Sequence, residues 1–388
     1  MKNNITDYEI IIVGGNHHNG LGLARIFGLN GMKVNSIVID EHSKKSFLRL
    51  SKFVNNSRCF KTEKDAFDFI LTHYIPNCKY FIIPYSDGAA FELDNRLNEF
   101  KKFLLPSISG KQSKLAKMME KQNQYDFAIE NNIKVAKTVV INFKQDYLLD
   151  IKKMKFPVIL KPIISAEGDK KDITICHSME EFEEAINILK NKNYNRILVQ
   201  EFLNIDYEID VFGCIMKNSK HICLIPTKTI RSWPLKGGTN SFSQIITDKD
   251  IVNKCKEIIN ILKKSGFYGL YDIELFVIDK EVYLNEINYR NSGDVYMGIN
   301  QQYYYPIAYI YDYLEIQYSI EEYPRIPSFA MTECADIRNV LNRNLSLKDW
   351  KKDYNISSDY ALKFKGDMRP AFSRYFYYII QFLKRKKY

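Results

Sequence analysis

The stretch YGLYDIELFVIDKEVYLNEINYRNSGD, ending at Asp294, constrains this chain more than any other. Two runs of β-branched and aromatic residues with period-2 alternation, Tyr271–Ile278 and Glu281–Ile287, flank the turn residues Asp279-Lys280, and this pattern predicts a β-hairpin. Glu274 and Glu286 are then candidates to face one another across the pair. Glu286, Asn288 and Arg290 are spaced by two, so their side chains leave one face of the strand or of its extension. Carboxylate and amide oxygens suit Mg²⁺, a hard cation that leaves its other positions to water and phosphate. An arginine beside such a site can neutralise phosphoryl oxygens. The competing reading is the wet face of an ordinary hairpin, and the rest of the chain has to decide.

A length of 388 residues predicts two or three domains, and a hydrophobic fraction of 46% is enough for sizeable cores. The 7 cysteines include no CxxC pair and no zinc spacing; Cys176, Cys214, Cys223 and Cys255 sit in apolar runs and read as reduced core residues of a cytoplasmic protein. The start, MKNNITDYEIIIVGG, has no signal-peptide core, and no run reaches the length of a membrane span. The formal charge of +10 comes from scattered lysines without an aromatic-interleaved basic motif. This argues against a nucleic-acid partner and fits small acidic substrates such as nucleotides.

In chain order, Glu9–Gly15 is a buried strand followed by a glycine-rich turn and helix, and Val34–Ile39 is a second strand ending at Asp40. Gly20, Gly22 and Asp40 resemble a dinucleotide fingerprint; the alternative is a βαβ unit whose glycines only permit close packing. Tyr80–Pro84 is another strand, leading to Ser86-Asp87, and the run around Leu105-Pro106 closes this first domain. A helix interrupted near Glu120-Lys121 comes next, then strands Lys137–Ile141 and Pro157–Lys161. The second of these delivers Lys161 into a loop containing Ser165, Gly168, Lys170 and Lys171, a place suited to holding phosphate. Arg196–Gln200 opens into Glu201-Phe202-Leu203, whose backbone can meet an adenine edge, and Glu208 follows where an acid can hold ribose hydroxyls. Thr227–Ser243, with Lys228, Arg231, Lys236 and Gly237-Gly238, reads as a mobile cationic flap or a plain surface loop.

The order of these parts resembles the ATP-grasp superfamily over roughly Lys121 to Asp312, with the first domain similar to its preceding Rossmann-like domain. The resemblance implies an α/β and α+β architecture: a Rossmann-like domain over 1–106, a two-subdomain ATP-grasp fold over 107–317 with its lysine-bearing subdomain near 134–200, and a small extension over 318–388. It also implies that ATP is held by Lys121, Lys161, Ser165, Glu201, Leu203 and Glu208, and two Mg²⁺ by Glu274, Glu286 and Asn288. Arg290, with Arg231, would stabilise the transferring phosphoryl group. The implied reaction activates a small-molecule carboxylate as an acyl phosphate and joins it to an amine, releasing ADP and phosphate. The single glycine after Lys161 and the continuation Asn291-Ser292-Gly293 look more like the D-aspartate ligase and carbamoyl-phosphate-synthase-like group, which points to an amino acid or a cell-envelope precursor as substrate.

Two other function classes compete: a dinucleotide-binding oxidoreductase, which leaves Lys161 and the metal triplet unexplained, and an ATP-binding protein without turnover. Homodimers are the common state of such ligases. The last segment, RYFYYIIQFLKRKKY over 374–388, has two readings. Tyr375, Tyr378, Ile379 and Phe382 dock a helix on its own domain, or the segment makes weak peripheral contact with the inner face of a membrane.

Overall fold

The computed structural model describes residues 5–42, 45–74, 79–163, 172–192, 194–235 and 238–385. The first elements are β1 (Glu9–Gly15), α1 (His18–Leu29), β2 (Lys33–Ile39), β3 (Asn56–Phe60), α2 (Glu63–His73), β4 (Tyr80–Pro84), α3 (Asp87–Asn95) and the short β5 (Ser107–Ile108). There follow α4 (Lys114–Met118), α5 (Lys121–Glu130), β6 (Thr138–Asn142), α6 (Leu148–Ile151), β7 (Val158–Lys161), β8 (Thr174–Cys176), α7 (Met179–Asn191) and β9 (Arg196–Glu201). The remainder is β10 (Tyr207–Ile215), β11 (Ile222–Trp233), β12 (Thr239–Ile245), α8 (Lys249–Lys264), β13 (Phe267–Ile278), β14 (Glu281–Asn288), α9 (Tyr305–Tyr313), β15 (Phe329–Met331), α10 (Glu333–Leu341), α11 (Leu347–Ile356), β16 (Ser357–Tyr360) and α12 (Arg369–Arg385).

The chain forms two compact units, the first from residues 1–114, 209–272 and 288–388, the second from 115–208 and 273–287. In the first unit β3-β2-β1-β4 make an all-parallel sheet. Its central strand reads as an unbroken apolar run because both faces are covered: Ile10 and Ile12 enter one core, Ile11 and Val13 another. Ser86 caps α3 by accepting from the Ala89 N–H, and Thr62 caps α2 by accepting from that of Asp65. A second sheet in this unit runs β10-β11-β12-β15-β16, antiparallel except for the last pair.

The glycines of the first helix serve packing. A Cβ at Gly20 would stand 2.6 Å from Leu48, and one at Gly22 would stand 2.6 Å from Val295. Asp40 accepts from Asn16 Nδ2 and from the His42 N–H, so it closes a turn. The expected flap over 227–243 is a hairpin instead: β11 and β12 pair from Thr227↔Ile245 to Trp233↔Thr239. Alternating Thr, Ile, Arg, Ser and Trp suit a pleated, half-buried surface, which overrides the loop-like composition. Lys236 and Gly237 lie outside the described residues.

In the second unit β6-β9-β7-β8 form an antiparallel sheet with α7 on it, sharing a core of Ile141, Val158, Leu160, Phe182, Ile186 and Val199. Ser178 caps α7, accepting from the Glu181 N–H, as its capping pattern predicts. The second half of β13 pairs with β14 here. Asp279 and Lys280 take φ of 50° and 64°, the left-handed values that a two-residue hairpin turn demands.

Residues near the end of the chain are fastened to the first unit by charge. Arg25, fully buried in α1, donates to Asp367 Oδ2 at 3.1 Å and to the carbonyls of Leu362 and Asp367 at 2.7 and 3.2 Å. Asp367 also accepts from Ser51 Oγ and the Lys52 N–H. Removing one partner of a buried pair strands the other charge. Asp367→Ala should therefore lower stability by about 3–5 kcal/mol in urea unfolding. A loss below about 1 kcal/mol, the level of an exposed pair, would contradict this anchoring role.

Candidate functional site

In the second unit the core strand β7 ends at Lys161, which is only 9% exposed because Val158 and Leu160 draw the strand into the core. Helix α5 begins with Lys121, whose Nζ lies 3.5 Å from Glu286 Oε2. One turn along, the Gln124 amide pairs with both backbone groups of Ile287 on β14, donating at 2.8 Å and accepting at 2.7 Å. Residues three apart share a helix face, so this clamp sets Lys121 over Glu286. Across the hairpin, Glu274 Oε2 accepts from Asn285 Nδ2 at 3.0 Å. Burial alternates along β14 until Asn285 and Glu286, where two consecutive residues are half-buried.

Both carboxylates act on Lys161. Burial first, and then the Lys121 charge, lower its ammonium pKa to about 8, with Glu286 and Glu274 opposing that loss. Two cations and two anions thus converge at the end of a core strand. Thr138 and Gln200, joined by a 2.9 Å hydrogen bond, line the cavity beside the lysines with Leu198 and Leu284. Of the expected hinge, the Glu201 and Phe202 N–H groups donate to the carbonyls of Lys137 and Pro157. Leu203 is half-buried, and Glu208 is exposed on β10. Ser165, with Gly168, Lys170 and Lys171, lies outside the described residues.

A second polar cluster belongs to the first unit. Arg290 Nε is 3.1 Å from Asp87 Oδ1, and its Nη1 is 2.5 Å from Asp272 Oδ2. Burial raises the Asp272 carboxyl against the pull of Arg290. Asp294 is pushed up to about 7 by burial and then by the charge of Asp272, while a hydrogen bond from Asn240 opposes the shift. Asn288 is buried, and its Nδ2 has no hydrogen-bond partner among the described residues. Arg231 is held elsewhere, donating to both oxygens of Asp336 at 2.8 Å and lying 3.0 Å from Asp353.

Sequence reasoning missed Gln124, Asn285, Gln200 and Asp272. For two of them a signal existed: Gln124 stands one helical turn from Lys121, and Asp272 stands two residues before Glu274 on the same strand. Asn285 and Gln200 gave no periodic signal.

Residues 126–302 match the family of ATP-grasp domains. The chain carries an ATP-grasp domain. Lys161, Glu274, Glu286, Asn288 and Arg290 fall within the matched span, and Lys121 stands just before it. A formate-dependent phosphoribosylglycinamide formyltransferase of Francisella tularensis is 24% identical to this chain over 295 residues, covering 74% of the chain and 71% of the relative. The protein of that name from Methanocaldococcus jannaschii is 28% identical over 149 residues, 36% of each chain. Among solved structures, N5-carboxyaminoimidazole synthetase from Staphylococcus aureus superposes with a TM-score of 0.66 at 16% identity, covering 88% of both chains. That likeness is one of fold.

The Asp294 carboxyl makes the stability of the protein depend on pH. Its folded pKa of about 7 lies above the ordinary aspartate value, so between about pH 4 and 7 the folded state holds the proton that the unfolded state has lost. Its contribution to stability therefore falls as pH rises, at a limiting slope of about 1.4 kcal/mol per pH unit. Asp294→Asn should flatten the melting temperature between pH 5 and 7 and stabilise the protein at pH 8. An unchanged pH profile in the variant would remove Asp294 as the cause.

Proposed function

We propose that this ATP-grasp ligase activates a small carboxylate with ATP and joins it to an amine, forming a carbon–nitrogen bond and releasing ADP and phosphate. One observation carries the reading: Lys121, Lys161, Glu274 and Glu286 are charge-coupled in a single unit. The residues present fit Mg²⁺ and a nucleoside triphosphate. No group of three or more acidic, histidine or cysteine ligands occurs among the described residues, and an ion that keeps water and phosphate as ligands needs only one or two carboxylates. Asn288 adds a buried amide, whose side-chain oxygen is the atom suited to a hard cation.

In this assignment Glu274, Glu286 and Asn288 hold two Mg²⁺, which supply charge neutralisation on the phosphates. Lys121 and Lys161 bind phosphate oxygens, and Lys161 gains the anionic partner that its burial withholds. Ser165, Glu201, Leu203 and Glu208 complete the nucleotide contacts. A carboxylate oxygen of the substrate attacks the γ-phosphorus, and the bond to ADP breaks. The amine then attacks the acyl carbon, phosphate leaves, and the amine proton passes to solvent or a base. In this reading Arg290, held between Asp87 and Asp272, takes the phosphoryl charge. Arg231, bound to Asp336 and Asp353, takes a positioning part in the first unit. The relatives' printed names favour a small donor such as formate over a large one, and an amino acid is the alternative donor.

Screening pairs of small acids and amines for ADP release tests the reading, with hydroxylamine present to trap the activated acid as a hydroxamate. ADP, phosphate and hydroxamate are expected; AMP and pyrophosphate would contradict it, and binding without turnover would leave an ATP-binding protein. Glu286→Gln should keep the fold and lower ADP formation by at least about 100-fold. Near-normal turnover by a well-folded variant would remove Glu286 from the metal site.

A further inference from the structure

Helix α12 has two faces of different character. Arg374, Tyr375 and Tyr378 hold it to the first unit. Arg374 Nη2 donates to the Asn16 carbonyl at 2.8 Å, and its guanidinium lies over Phe47. Tyr375 Oη donates to Glu333 Oε1 at 3.0 Å, and the Arg338 guanidinium covers the Tyr378 ring. Phe372, Phe376 and Ile379, spaced by four and three, form a separate stripe about 120° around the helix. They are 63%, 65% and 56% exposed. The docking expected of Ile379 is therefore not found: Tyr375 and Tyr378 fill the inner face, and Ile379 falls on the outer one. The side chain of Phe382 lies outside the described residues.

An apolar row on a helix already docked through another face adds nothing to the fold and marks a contact surface. The charge beside it selects the partner. Residues 369–388 contain six basic residues, Arg369, Arg374, Lys384, Arg385, Lys386 and Lys387, and no acidic one. Two copies meeting through residues 369–388 would bring together like charges without a compensating acid. No described helix is long and apolar enough to cross a membrane, so a lipid contact here is peripheral.

We propose that the outer face of α12 lies on an anionic lipid surface, with Phe372, Phe376 and Ile379 at acyl-chain depth and the net positive charge of residues 369–388 supplying the attraction. Each basic residue near such a surface multiplies binding by a factor of about five, so the attachment is sensitive to salt. The inference does not depend on the ligase reading, because no residue of α12 belongs to the proposed site.

Sedimentation of the full chain with phosphatidylcholine vesicles, with and without phosphatidylglycerol, tests it. The wild type should pellet with the anionic vesicles and about tenfold less with the neutral ones or at high salt. Phe372→Ser/Phe376→Ser/Ile379→Ser should lose binding at an unchanged melting temperature, because the replaced side chains are exposed. Equal pelleting of variant and wild type would overturn the proposal, as would no pelleting of either. So would a dimer, detected by light scattering, that the variant loses while vesicles bind neither protein.

Discussion

Lys161 is the residue on which the site's electrostatics turns. A lysine drawn under a core by its own strand loses hydration, and a second ammonium beside it deepens that loss. Glu274 and Glu286 offset it, and both reach Lys161 from the one hairpin that closes at Asp279-Lys280. Neither lysine nor either acid is stable there alone, because a buried charge without its counterpart costs several kcal/mol, on the order of 3–5. The hairpin turn, the end of β7 and the start of α5 are thus coupled by charge as well as by packing. The Gln124 clamp on Ile287 fixes the last of these, since it binds both backbone groups of a strand that ends the sheet order.

The same logic governs the first unit. Arg290 stands between two carboxylates and Arg25 beside one, and each arginine joins segments far apart in sequence. Asp294, burdened by burial and by Asp272, is the group that feels pH. Buried charge is a weak source of stability but a strong source of position, and position is what phosphate chemistry requires.

Much of this was legible in the residues. Period-2 alternation located the hairpin, and the continuous apolar runs located β1, β4 and β7. The glycine-rich turn suggested a nucleotide fingerprint, but Gly20 and Gly22 serve close packing against Leu48 and Val295. What misled at 227–243 was composition: glycines and lysines suggested a loop, while β-branched residues at alternate positions built a hairpin. The Asn285 contact escaped notice because it acts through a single amide that leaves no pattern, whereas the spacing of Gln124 from Lys121 was a signal passed over. The exposed stripe of α12 escaped for the opposite reason. Its apolar residues surround more than one side, and only the tertiary contacts of Tyr375 and Tyr378 show which side is taken.

The central claim is that Lys161 and its carboxylate neighbours receive the phosphates of ATP with Mg²⁺. Calorimetric titration with ATP, with and without Mg²⁺, on wild type and Lys161→Ala tests it most directly. The account predicts Mg²⁺-dependent binding that the variant weakens by about tenfold or more, the worth of a charge-assisted contact. Equal affinity in a folded variant, or binding indifferent to Mg²⁺, would contradict it.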